Sequence, residues 1–315
     1  MTSINHKSDR WDGPPVTIVV VTYQSSATII ATLRSVFRCY SDGLVECVVV
    51  DNASTDGTQA LVRKHAPWAR LIECAENLGF ARGCNLGAQN VTSCYTLFLN
   101  PDAEIEPVAL KSMLRFFDTS KNIGIVGPAT ICMPDGHSEV LQLTGPIPTP
   151  RSILPSKLAK ILGEKIARPV IPGEQPNKTG WVCGAVFLIK TDLLNQLRGF
   201  DPGFFLYWEE TDVCLRAMQA GYEVWAVGTA VARHVAGASS QDDPHKINGC
   251  IARHYYQSRR LFMIKHYGWI RTTSAELVEW LWLLCLSLAD TARGKGLSRF
   301  TVRLQAPLFS LPGDV

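Results

Sequence analysis

Val16-Thr17-Ile18-Val19-Val20-Val21 is six β-branched residues in a row, without a charge or a break. A strand with one wet face alternates apolar and polar residues, whereas a run apolar at nearly every position belongs to a strand covered on both faces, as in a parallel sheet. The run stops at Thr22-Tyr23-Gln24-Ser25, and a second one, Val45 to Val50, stops on Asp51. Between them Ile29, Ile30, Leu33, Val36 and Phe37 recur at helical spacing. Continuing outward, Thr58 to His65 reads as a helix, Arg70 to Cys74 as a strand, Ala81 to Gln89 as a helix and Tyr95 to Leu99 as a strand. The alternation predicts an α/β protein with a doubly wound, mostly parallel sheet, helices on both faces and ligands at the carboxyl ends of the strands.

Beyond Pro107 to Phe117, a helix, and Ile123 to Pro128, a strand, residues 133–177 lose periodicity and gather proline and glycine, as an irregular functional loop does. Trp181 to Ile189 reads as a strand feeding a helix near Thr191 to Leu197. Residues 1–15 are polar and are expected to be flexible; they carry no secretory pattern, so the chain is expected to stay in the cytosol. Residues 246–315 read as a helical, basic extension. From Lys246 to Arg303 there are ten Lys and Arg against Glu276, Glu279 and Asp290, although the whole chain carries only +3. The uncharged stretch Trp280 to Ala289 is about half the length needed to span a bilayer. With Trp269, Trp280 and Trp282 and flanking Arg271, Arg293, Lys295, Arg299 and Arg303, it suits a membrane interface; packing or a homodimer is the alternative. No nucleic acid is expected as partner. Ten cysteines without a CxxC pair read as reduced thiols rather than a disulfide frame or zinc site.

Chemistry concentrates in Phe204-Phe205-Leu206-Tyr207-Trp208-Glu209-Glu210-Thr211-Asp212, where three acids abut an aromatic run. Burial raises a carboxylate's pKa, which suits a general base near neutrality. The residues after Asp212 read as an amphipathic helix, so helix N-terminal acids are the plain alternative. Polar groups also end the predicted strands. Thr22 and Tyr23 sit where a helix start can hold phosphate or ribose, or merely cap a helix. Asp51 can accept from a pyrimidine imide N–H. In Asn77-Leu78-Gly79-Phe80-Ala81-Arg82-Gly83-Cys84-Asn85 small residues let backbone approach a ligand, while Arg82 and Asn85 offer donors. Asn100-Pro101-Asp102 places Asp102 where Mg²⁺ or Mn²⁺ bridging two phosphates can sit, or where a turn caps the next helix. His234 is a further metal ligand or a structural histidine.

In this order the pieces resemble the family 2 glycosyltransferases, and within them the rhamnosyltransferase-like group. The likeness covers roughly residues 16 to 240 and rests on Val20-Val21-Thr22-Tyr23, Val48 to Thr58, Asn77 to Gly87, Leu99 to Ala103, Gly184-Ala185, Gly199-Phe200-Asp201, Phe205 to Arg216 and His234. The resemblance implies a GT-A fold in residues 16–245, a nucleotide-diphosphate sugar donor, a divalent cation and inversion at the anomeric carbon. Carried over, Thr22, Tyr23, Asp51, Asn77 and Arg82 hold the nucleotide. Asp102 stands for the second aspartate of the DxD metal motif, with Asn100 in place of the first, and His234 assists. Glu210 falls on the base, where Asp is more usual, so Glu209 and Asp212 stay as alternatives. The donor is expected to be dTDP-rhamnose or a UDP-sugar. The acceptor is expected to be a saccharide or lipid-linked saccharide at the inner face of the cell membrane, in polysaccharide biosynthesis. A Rossmann dehydrogenase needs G-x-G-x-x-G after the first strand, and Thr22-Tyr23-Gln24-Ser25-Ser26 has no glycine. A catalytically silent nucleotide-sugar binder is the remaining alternative; such a protein would keep Asp51 and lose the acids.

Overall fold

The computed structural model of the chain describes residues 16–132, 140–165, 167–234, 249–292, 300 and 303–304. The expectations for residues 1–15 and for Arg293, Lys295 and Arg299 lie outside these. The N-terminal half follows the predicted alternation: β1 (Val16–Thr22), α1 (Ile29–Ser41), β2 (Val45–Asp51), α2 (Thr58–His65), β3 (Arg70–Glu73), α3 (Phe80–Gly87) and β4 (Tyr95–Leu99). Then come β5 (Ala103–Ile105), α4 (Pro107–Phe117), β6 (Ile123–Cys132), β7 (Val140–Leu141), β8 (Leu143–Thr144), α5 (Ser156–Ile161), β9 (Arg168–Pro169) and β10 (Asn177–Thr179). The chain continues through β11 (Val186–Lys190), α6 (Thr191–Gln196), α7 (Glu209–Gln219), β12 (Glu223–His234), α8 (Gly249–Tyr267) and α9 (Trp269–Ala292).

The main sheet runs β10-β12-β6-β11-β4-β1-β2-β3. Strands β4, β1, β2 and β3 are parallel, as read from the sequence, and every residue of β1 is buried. β11 enters antiparallel between β4 and β6, which makes the second half mixed. The apolar residues of both faces form a core. One side packs Leu33, Val36, Leu110 and Leu114 of α1 and α4; the other packs Cys84, Leu193, Val213 and Phe262 of α3, α6, α7 and α8.

Two departures from the sequence reading shape the site. Trp181 to Ile189 is a strand only from Val186; Cys183-Gly184-Ala185 is a loop held by the Ala185 carbonyl, which accepts from the Asn100 N–H at 2.9 Å. The apolar run Tyr222 to Val227 reads as a strand with His234 in the loop beyond it; β12 instead continues to His234 past a bulge between Val227 and Val231. Its last residues pair antiparallel with β5, setting His234 opposite Ala103 and therefore beside Asp102. The stretch expected to be irregular contains α5 and the short strands β7 to β10 among its described residues.

Candidate active site

The carboxyl ends of β1 and β2 lie in register, Thr22 beside Asp51, and both side chains are fully buried. Thr22 Oγ1 donates to Asp51 Oδ2 at 2.8 Å, while Asp51 Oδ1 accepts from the Ser54 N–H and from Gln59 Nε2, both at 2.8 Å. Three donors fix this carboxylate without a neighbouring cation. Tyr23 lies half exposed at the rim. Asn77 Oδ1 accepts from the Gly79 N–H at 3.0 Å, shaping the approach to α3. Gly79 is needed: at φ +81° an added Cβ would lie 2.5 Å from the Phe205 carbonyl oxygen, which accepts from the Phe80 N–H at 2.7 Å. This contact joins the nucleotide-side loop to the acidic segment. Arg82 is exposed and donates to the Pro202 carbonyl at 3.2 Å. Asn85 spends both ends of its amide on the backbone of Phe200, at 2.8 Å each, and so packs α3 against the Gly199-Phe200 turn.

At the end of β4, Asn100 is held by its backbone and Asp102 remains partly accessible. Asp102 Oδ1 lies 2.8 Å from His234 Nε2, and His234 Nδ1 lies 3.7 Å from Cys132 Sγ. Burial opposes charge on His234, but Asp102 and then Cys132 outweigh it and lift the imidazole to about 9. Among the described residues no three His, Cys, Asp or Glu form a metal cluster.

The three acids of α7 have separate fates. Tyr207 and Trp208 enter the helix at φ +69° and +70°, a strained pair of left-handed residues. That turn buries Glu209 to 4% exposure, and the Oε2 atoms of both Glu209 and Glu210 are buried without a hydrogen-bond partner. Burial and then the charge of Glu210 hold Glu209 well above the usual carboxylate range. Burial lifts Glu210 to about 7, against the pull of the Glu210 and Thr211 N–H groups and of Glu209. The pair titrates as a unit. Asp212 turns elsewhere. Oδ2 accepts from Arg216 Nε at 2.7 Å, and Oδ1 faces His266 Nε2 at 2.8 Å and Lys265 Nζ at 2.7 Å on α8. Burial works against that charge, but the His266 hydrogen bond and the Arg216 and Lys265 charges lower its pKa.

Glu210 borders a cavity of about 310 Å³ walled by Trp181, Cys183, Tyr207, Trp208 and Tyr255, while neither Glu209 nor Asp212 reaches it. Gly184 packs on Glu210, whose side-chain carbons lie 3.5 Å from where a Cβ would stand. The carboxylate is therefore presented to a chamber with four aromatic walls, of the size that takes a small ligand. Tyr207 links the two halves: burial, then Glu209, Glu210 and Asp102, all raise its hydroxyl pKa.

Sequence reasoning missed the far wall. Tyr255 and Arg259 of α8 line the cavity, although α8 read only as part of a basic extension. Arg259 meets Glu279 of α9 at 2.8 and 2.5 Å, Arg260 pairs with Glu276, and Arg303 bonds Glu279 at 3.1 Å. The signal was available: among the acids from Lys246 to Arg303, Glu276 and Glu279 lie three apart, on one face of a helix otherwise rich in Leu and Trp.

Residues 17–197 match the family model Glycosyl transferase family 2. The N-acetylglucosaminyl-diphospho-decaprenol L-rhamnosyltransferase of Mycobacterium tuberculosis is 26% identical over 277 residues, covering 81% of this chain and 86% of that protein. Among solved structures, the mannosyltransferase PcManGT from Pyrobaculum calidifontis, in complex with GDP-Man and Mn²⁺, superposes with a TM-score of 0.54 at 19% identity, over 93% of this chain and 84% of that one. GalNAc-T7 with UDP, GalNAc and Mn²⁺ gives 0.55 at 15% identity, over 78% of this chain and 47% of that one. The fold is that of GT-A glycosyltransferases, with C-terminal helices added. A model match over more than half the chain, with the motifs in order, leads to one conclusion: this protein belongs to glycosyl transferase family 2 and is a glycosyltransferase.

Proposed function

We propose that the chain transfers a sugar, rhamnose by preference, from a nucleotide-diphosphate donor to a hydroxyl of a saccharide acceptor, with inversion and with the help of Mg²⁺ or Mn²⁺. The observation that carries this reading is Glu210, a buried carboxyl near 7 bordering a chamber. A base poised near neutrality takes a proton from an attacking hydroxyl most effectively there. Of the two glutamates Glu210 alone borders the chamber, so Glu210 is the member placed to act as the base. Asp212 has a lowered pKa and cationic partners on both oxygens, which suits anchoring rather than proton transfer.

The donor belongs at the strand ends. Thr22, Tyr23, Asp51, Asn77, Gly79 and Arg82 border the nucleotide, with Asn85 bracing that loop from behind. Asp102, the accessible carboxylate at the end of β4, would hold the divalent cation with Asn100 at its margin, His234 assisting by fixing Asp102 through Nε2, and a diphosphate and water would complete the shell. When bound, the cation stabilises charge on the departing diphosphate. The chain's own part is to orient the donor, to exclude water behind Trp181, Tyr207 and Trp208, and to receive the acceptor's proton at the Glu210 carboxylate.

The rhamnose preference and a lipid-linked acceptor rest on the mycobacterial relative, whose name states both. A peripheral site on a membrane is supported by Trp269, Leu281, Trp282 and Leu288, all exposed; no described helix is long and apolar enough to cross a bilayer. Calorimetric titration of dTDP and UDP, each with and without Mn²⁺, into wild type and Asp102→Ala tests the donor site. Metal-dependent binding that vanishes in the variant is expected, with the preferred base naming the donor class; equal binding by both proteins would remove Asp102 from the site.

A further inference from the structure

A second concavity, of about 1030 Å³, runs between α9 and the segment from Pro146 to Lys165. It adjoins the Glu210 chamber, and Pro146, Glu164 and Lys165 border both. Its surface divides by chemistry. Ile147, Leu154 and Tyr267 give an apolar floor continuous with the core, and exposed Ile270 and Val278 extend it along α9. Arg151, Lys165 and Arg271 stand exposed around it. Arg151 is braced by donating to the Leu162 carbonyl at 2.8 Å. The acid of this groove, Glu164, is already engaged: Oε2 accepts from Thr149 Oγ1 at 2.8 Å and Oε1 from the Thr149 N–H at 3.3 Å.

Three cations against one engaged acid, around an apolar trough, match an anion tied to an aliphatic chain. A bilayer is flat. It would rest on outward residues such as Ile161, 81% exposed, and Leu281, 63% exposed, and would not enter a trough that opens into the catalytic chamber. A molecule with a sugar at one end, a charged linker and an aliphatic tail meets chamber, cations and apolar floor in turn. We propose that this groove seats the diphosphate and first aliphatic units of a lipid-linked acceptor, delivering its sugar hydroxyl to Glu210. The proposal rests on the glycosyltransferase reading above and adds to it where the acceptor's non-sugar end binds and which residues select it.

The test uses the full chain with saturating dTDP and Mn²⁺, so that the donor site is occupied, and undecyl diphosphate below its micellar concentration as the probe. The probe is expected to bind at least about tenfold more tightly than inorganic diphosphate, since a buried chain of this length contributes well over that factor. Lys165→Ala/Arg271→Ala is expected to weaken the probe at least about tenfold, as loss of charge-assisted contacts implies. Val278→Glu, placing an acid in the trough, is expected to do the same. All three positions are exposed, and unchanged dTDP affinity in the variants reports an intact fold. If wild type binds dTDP but not undecyl diphosphate, or the variants bind the probe undiminished, the groove proposal falls while the donor-site reading stands. If wild type binds neither dTDP nor UDP with Mn²⁺, the donor-site reading itself falls. A variant defect that appears equally on phosphatidylglycerol vesicles without probe would assign the groove to the bilayer and overturn the proposal.

Discussion

The two halves of the site hold their carboxylates in opposite ways. Asp51, at the end of β2, is fully buried and accepts three hydrogen bonds, so its charge is stabilised by fixed dipoles and the local geometry is set. Glu209 and Glu210, at the start of α7, press against each other with an oxygen of each unpartnered, behind two residues in left-handed conformation. A fully bonded acid is a scaffold, its oxygens spent on fixing the loop around it. An acid denied partners has its proton affinity raised, and that affinity is what a base uses. The contrast separates the half that holds from the half that reacts.

Substitutions can break this contrast at its strongest point first. Glu210→Gln keeps shape and removes proton acceptance; turnover, followed as release of nucleoside diphosphate, is expected to drop about 10²–10⁴-fold while calorimetric nucleotide affinity is retained. An equal loss of nucleotide affinity would erase the division of labour. Asp212→Asn tests the anchoring role of the third acid: it takes the carboxylate from Arg216 and His266 while Lys265 keeps Asp201, and a loss of about 3 kcal/mol in denaturant-derived stability is expected. Asp51→Asn sharpens the scaffold side. An amide cannot accept at both oxygens, so about 1–3 kcal/mol of stability should go, with the effect measured as a shifted unfolding midpoint. Smallest is a change of slope. With Glu210 near 7, its active form is the ionised one, so kcat/KM should rise about tenfold per pH unit below 7 and level off above it. The sign for stability is opposite: the folded state keeps a proton that an unfolded Glu releases near pH 4.3, so stability falls as pH rises through that window. Glu210→Gln should flatten both profiles.

Much of this was legible in the chain. Runs such as Val16–Val21 and Val45–Val50 declare burial on both faces, which only a covered parallel sheet satisfies, and the polar residues at their ends then point to the site. Local signals do not fix what distant segments do. Asp212 read as one of three candidate bases because its partner His266 lies 54 residues away on a helix that nothing local brings near. The antiparallel entry of β11 was hidden because an apolar run has no direction, and the break at Cys183-Gly184-Ala185 because it lies inside one continuous apolar run. The left-handed Tyr207 and Trp208 violate the preferences of bulky residues, and such violations concentrate where function imposes them.

The pairing of α8 with α9 has a practical consequence. One face of α9 is exposed Leu and Trp, the kind of surface routinely trimmed to make a protein easier to handle. Its other face supplies Glu276 and Glu279 to Arg259 and Arg260, and Arg259 is wall material of the chamber in front of Glu210. A fragment ending after α8 would take Glu276 and Glu279 away from those buried guanidinium groups, a loss proteins relieve by unfolding the segment that carries them. The greasy helix cannot be pared away as an accessory; shortening this chain at its C-terminus dismantles the room in which the reaction takes place.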